Sequence, residues 1–248
     1  MRALFIVALI LFTTAASGQK FRMLVLAEHD KNHTPYGEAA KPWLDELARK
    51  NNFAVDYFHD PSKVNDEFLS NYKVIFQLNY PPYMWSDTAK AAFEKYIEEG
   101  RGGWVGVHHA TLLGDFDGYK MWDWFSEFMG GIRFKSYIPT FAAGTVKVEQ
   151  GKHPVMKGLP KEFVIAKDEW YTYDKSPRPN VTVLASVDES TYTPKSDRVM
   201  GDHPVVWTNP KKKARNVYIF MGHDPVLFQD DSYKKLLQNA LMWAAGKP

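Results

Sequence analysis

Between residues 21 and 107 short apolar runs alternate with stretches of helical period, and no other property of the chain restricts its fold as strongly. Residues 21–27 read as a strand that ends at Glu28-His29, followed by a polar loop and a helix over 37–50. A strand over 53–58, a short helix over 64–70 and a strand over 72–78 repeat the unit. Ser86-Asp87-Thr88 then offers an N-cap for a helix that runs to Glu99 and stops at Gly100. Serine suits the cap because its oxygen accepts an orphan N–H, and glycine suits the stop because it tolerates a left-handed backbone. A fourth strand follows over 103–107. Parallel neighbours need crossovers long enough to hold a helix, so this order predicts a parallel sheet covered by helices on both faces.

Beyond the Trp-rich stretch 119–129 the rhythm shortens. Extended segments over 145–149, 163–166, 181–186, 204–208 and 216–220, with turn residues between them, predict additional antiparallel strands. A last helix is expected over 232–245. No repeat, low-complexity tract or linker divides the chain. The expectation is an α/β protein of three αβα layers, mostly parallel with antiparallel additions, in one domain over 19–248.

Residues 1–18 carry Arg2, an apolar run over 3–12 and small residues up to Gly18, the pattern of a secretory leader. The apolar run is too short for a membrane anchor, so the expected product is exported, periplasmic or secreted. There is no cysteine in the chain, which excludes disulfides and thiol catalysis. A formal charge of +2, one unit of which leaves with Arg2, gives no electrostatic grip on nucleic acid or anionic lipid. The run Lys211-Lys212-Lys213 reads as a solvated turn.

In an open parallel sheet ligands gather outside the carboxyl ends of the strands, where loops vary freely. The first strand delivers Glu28-His29 there, with His33 in the same loop. The fourth delivers His108-His109, and the last delivers Gly222-His223-Asp224. Gly106-Val107-His108-His109-Ala110 has the outline of a nucleophile elbow, but His108 stands where a nucleophile is expected. Without Ser or Cys there, acyl transfer is the first chemistry to exclude. A histidine in that position can act as base, hydrogen-bond donor or metal ligand.

Further motifs complete a pattern: Gly102-Gly103-Trp104, Trp122, Gly130-Gly131, the run from His153-Pro154 to Gly158-Leu159-Pro160, Asp168-Glu169-Trp170-Tyr171, His203-Pro204-Val205-Val206-Trp207 and the stretch from Tyr218 to His223. Together with the His108-His109 segment they resemble the trehalose-utilisation (ThuA-like) family, in order and over nearly the whole chain. The resemblance implies a flavodoxin-like, class I glutamine amidotransferase-like fold without the amidotransferase cysteine, and a link to sugar metabolism. It carries the family positions onto His108, His153, Asp168, Glu169, His203, Trp207 and His223. Neighbouring residues on a strand face opposite ways, so one of Asp168 and Glu169 is expected in the pocket, and Glu169 is taken as that one.

The catalytic expectation is thus His108, Glu169 and His223, with His29, His109, Trp170, His203 and Trp207 binding substrate. Three functions follow from it. The first is acid–base chemistry on a glycoside or 3-keto sugar, whose ketone acidifies the neighbouring C–H so that a single base can begin glycosidic cleavage. The second is a metal-dependent hydrolase or lyase, with His29, His108 and His223 as candidate ligands of a divalent metal and Glu28 or Glu169 completing the set. The third is a non-catalytic sugar-binding accessory protein. The expected partner is a small sugar, with a sugar oxidoreductase in the same pathway and a homo-oligomer left open. The glycine-containing loop 114–120 is either a lid or a plain surface loop.

Overall fold

The fold is that of a computed structural model, which describes residues 19–246; the proposed leader, residues 1–18, lies outside them. The strands are β1 (Arg22–Ala27), β2 (Ala54–Phe58), β3 (Val74–Leu78), β4 (Gly103–Val107), β5 (Phe134–Tyr137), β6 (Ala142–Val148), β7 (Glu162–Asp168), β8 (Tyr171–Tyr173), β9 (Thr182–Thr193), β10 (Pro204–Thr208) and β11 (Asn216–Ile219). The α-helices are α1 (Thr34–Asn51), α2 (Asp66–Leu69), α3 (Asp87–Glu99), α4 (Asp123–Phe128) and α5 (Asp231–Ala244).

One nine-stranded sheet runs in the order β2-β1-β3-β4-β11-β10-β9-β6-β7. Its first half, from β2 to β11, is parallel throughout. From β11 onward every neighbour is antiparallel. β3 and β4 lie inside the parallel half and are buried along their whole length, as strands covered on both faces must be. One covering layer is α3 and α4, whose Phe93, Phe125 and Phe128 pack on Trp104 of β4. The other is α1 and α5, joined by the hydroxyl contact of Tyr36 and Tyr233.

The helix boundaries follow local chemistry. Ser86 accepts from the Ala89 N–H at the start of α3, and Gly100 ends it at φ 71°. Asp230 caps α5 by accepting from Tyr233 N at 2.7 Å. Three elements are absent from the sequence reading: β5 and β8, which pair as a small antiparallel ribbon, and α4. The loop 114–120 folds back on itself through a Phe116–Tyr119 bridge and is tied to Tyr83 through Asp117. Among the described residues no helix is long and apolar enough to cross a membrane.

Candidate functional site: a histidine and carboxylate cluster

Four loops bring their side chains to one place, three from the carboxyl ends of the parallel half and one from β7 of the antiparallel half. They follow β1 (Glu28, His33), β4 (His108, His109), β7 (Glu169) and β11 (His223). At the end of β4 the backbone of His108 turns left-handed, φ 44°, and the chain enters a single 3-10 turn rather than an α-helix. That turn breaks strand alternation. The rings of His108 and His109 therefore lie parallel on the same side, 5.4 Å apart. Gly222 makes room for the opposite loop, since a Cβ there would meet the Cβ of His108 at 3.0 Å.

The inner part of the cluster is centred on His108, which is fully buried. Its Nε2 lies 2.8 Å from the Tyr171 hydroxyl, 3.2 Å from His223 Nδ1 and 3.4 Å from Glu169 Oε2. The same Glu169 oxygen is 3.3 Å from His223 Nδ1. The outer part is centred on Glu28, whose Oε2 is 2.7 Å from His109 Nδ1 and 2.9 Å from His33 Nδ1. The His33 ring bridges the two parts, 3.8 Å from His109 and 4.6 Å from His223 between centroids. Glu28, His109, Glu169 and His223 keep 12–15% of their side-chain surface exposed, so these are the groups a solute reaches.

Burial acts against every charge here, and the partners decide the outcome. It pushes His108 down to about 3, against the pull of Glu169, so the imidazole is neutral. Burial also raises Glu28, but the bonds from His109 and His33 outweigh it and hold that carboxyl at about 2. Glu169 behaves likewise, and His108 and His223 keep it well below the carboxylate range despite its burial. Burial lifts the Tyr171 hydroxyl well above its ordinary value, so it remains a proton-bearing donor.

Asp168 supports the site without entering it. Fully buried, it accepts from the N–H groups of Gly222 at 2.9 Å, His223 at 3.0 Å and Asp224 at 3.2 Å, and so clamps the loop that carries His223. Burial raises its carboxyl to about 7 even though these three donors favour the anion.

Four residues expected to bind substrate stand elsewhere. Trp170 is wholly buried, stacks on Phe220 and donates its indole N–H to the Ala142 carbonyl at 2.8 Å. Trp170 follows Glu169 on an extended chain, so turning the carboxylate into the site turns the indole into the core. Trp207 is buried on β10, a strand covered on both faces, against Tyr218. His203 is buried as well, and Glu189 at 2.9 Å and the Tyr192 hydroxyl at 3.2 Å occupy its Nδ1. His29 is exposed with its ring beside His59, and among the described residues it is not grouped with the donor atoms of His33, His108 and His223, which removes it from the metal candidates too. His153, a family position, lies against Trp243, remote from this edge. Two residues take the vacated places. His33 reaches the cluster from the cap of α1, and Tyr171 from the start of β8.

The model of the trehalose-utilisation family ThuA matches residues 22–244 of the chain. A ThuA-like protein from Bacteroides uniformis ATCC 8492 has a similar solved structure, with 34% identity, coverage of 92% of this chain and 93% of that one, and a TM-score of 0.81. A second, from Parabacteroides merdae ATCC 43184, has 21% identity, coverage of 92% and 91%, and a TM-score of 0.69. The glutaminase domain of Trypanosoma brucei CTPS shares the fold at 11% identity, with coverage of 92% and 95% and a TM-score of 0.52. No curated protein matches the chain. A family model spanning nearly all described residues and a relative above 30% identity agree, and the chain belongs to the ThuA family on a glutamine amidotransferase-like α/β fold.

Proposed function

We propose that the protein is an exported enzyme of carbohydrate metabolism that cleaves or modifies a 3-keto glycoside by proton transfer at this cluster. The observation that carries the reading is the pairing of His109 with Glu28, which suits a base, close to a part-exposed His223, which suits an oxygen. His109 donates Nδ1–H to Glu28 at 2.7 Å, which fixes the tautomer and leaves the Nε2 lone pair to act as base. His223, the inner imidazole that a solute reaches, stands across the His33 ring from it and can stabilise charge on a ketone oxygen, with the buried His108 and Tyr171 hydroxyl bonded behind it.

In a 3-keto sugar the C2–H is acidic because its electron pair delocalises onto the ketone. His109 Nε2 takes that proton, the pair forms the C1–C2 double bond, and the C1–O bond breaks as the leaving oxygen takes the proton back from His109. An unmodified glycoside has no ketone to receive the charge, and the two carboxylates here, Glu28 and Glu169, are both held ionised by histidines, so neither is the protonated acid that an ordinary glycosidase uses. The family's association with trehalose utilisation supports a sugar as substrate. Export is supported by the composition of residues 1–18 and is tested by the N-terminal sequence of the mature protein.

Incubating the purified protein with 3-keto and unmodified disaccharides, with products resolved by chromatography, tests the reaction. The expected result is turnover of the keto sugar alone. Saturable sugar binding with no turnover of either compound makes the protein a binding accessory and overturns the enzymatic reading.

A further inference from the structure

We infer that His33, His108, His223 and Glu169 form a binding site for a divalent transition-metal cation. The inference does not rest on the proposed reaction, because it concerns where donor atoms stand.

His108 Nε2, His223 Nδ1 and Glu169 Oε2 form a nearly equilateral triangle with sides of 3.2, 3.3 and 3.4 Å. Ligand atoms about 2.0–2.1 Å from a tetrahedral ion stand roughly 3.3–3.4 Å apart, so the triangle has the dimensions of one face of such a site. His33 is a further donor within reach of His108 and His223. A ligand nitrogen of His33 lies within 4.8 Å of those of His108 and His223. The Nδ1 of His33 is engaged by Glu28 at 2.9 Å and Asp30 at 3.1 Å, while its Nε2 is buried with no partner. A carboxylate on one ring nitrogen and a free lone pair on the other is how proteins orient metal-binding histidines.

The crowding at His108 points the same way. One nitrogen faces the Tyr171 hydroxyl, a second imidazole and a carboxylate, and it has a single lone pair or proton to offer them. A cation among these atoms satisfies several donors at once, which hydrogen bonds between them cannot do. The four ligands come from four loops, and two of those loops are held rigid by the left-handed turn at His108 and the Asp168 clamp behind His223. Three imidazoles and one carboxylate select zinc, cobalt, nickel or iron over magnesium or calcium, which take oxygen ligands.

The test uses untagged protein, stripped with chelator and titrated calorimetrically with Zn²⁺ and, separately, followed by visible absorption with Co²⁺. One equivalent per chain is expected, with intense cobalt bands of low coordination number. His108→Asn with His223→Asn should weaken binding at least about 100-fold, and Glu169→Gln about tenfold with displaced cobalt bands. His29→Ala with His59→Ala removes the exposed pair and should change affinity less than about twofold. If the inner double variant does not fold, the cobalt bands of wild type and Glu169→Gln still decide. Binding of less than a tenth of an equivalent overturns the proposal. So do bands unchanged by Glu169→Gln, or binding lost only in the His29 and His59 variant.

Discussion

The two halves of the sheet each bury a histidine against a glutamate, and they use the pair in opposite ways. In the antiparallel half Glu189 accepts from His203, from the Met200 N–H at 2.6 Å and from the Gly201 N–H at 2.7 Å. Every contact of that carboxylate closes a loop onto β10. At the edge of the parallel half Glu28 and Glu169 bond histidines, and all of these groups belong to the cluster itself. The same two residue types therefore make a latch where backbone N–H groups saturate the acid, and a site where they do not. The saturated backbone bonds of the parallel edge go instead to Asp168, one residue away from Glu169.

The largest effect should follow from breaking the open cluster. His108→Ala removes the buried ring that faces three partners, and turnover of a 3-keto substrate should fall at least about 100-fold, as measured by initial rates on folded protein. His109→Gln, which keeps a side-chain amide beside Glu28, should lower kcat about as much while leaving KM within about threefold.

Metal loading sharpens the contrast at the level of stability. At a free ion concentration about 100 times the dissociation constant, binding to the native state adds roughly 2.7 kcal/mol. For a chain of this size that raises Tm by about 5–10 °C in differential scanning calorimetry, and chelator should remove the gain. A smaller effect is expected from the closed latch. His203→Ala leaves Glu189 buried without its ring partner and should cost about 2 kcal/mol, with turnover within about twofold of wild type.

The smallest effect is a pH dependence. His203 and two backbone N–H groups outweigh the burial of Glu189 and hold its carboxyl below the ordinary value. A lowered folded pKa stabilises above the unfolded value and is lost as pH falls through the folded one. The Tm difference between wild type and Glu189→Gln should therefore be full near pH 7 and shrink below about pH 4.

Strand period made the parallel half legible, because β1, β3 and β4 are apolar runs that burial on both faces demands. The ribbon of β5 and β8 escaped because Phe134–Tyr137 and Tyr171–Tyr173, at four and three residues, are too short for a strand period to stand out. In the site one physical rule explains most of the gap. Adjacent residues on an extended chain face opposite ways, which places Glu28 inside and His29 outside, and Glu169 inside the cluster with Trp170 in the core. His108 and His109 share a side only because of a positive φ, which no pattern of side chains announces. His33 was visible in the loop, but its direction depends on how α1 begins, with Asp30 accepting from the His33 N–H at 2.7 Å. Tyr171 stands two residues beyond Glu169 and therefore faces the same way, a relation that is readable only once the chain is known to continue into β8.

The division between an open cluster and a closed latch is tested most directly by measuring keto-sugar turnover and Tm on Glu169→Gln and Glu189→Gln side by side. Glu169→Gln removes the carboxylate that holds His108 and His223 in place at the substrate side, and should lose at least about 100-fold in turnover and keep its Tm within a few degrees. Glu189→Gln should melt about 5 °C lower and keep its turnover. Equal losses of turnover in the two variants, or full turnover in Glu169→Gln, would contradict the assignment of function to the parallel edge.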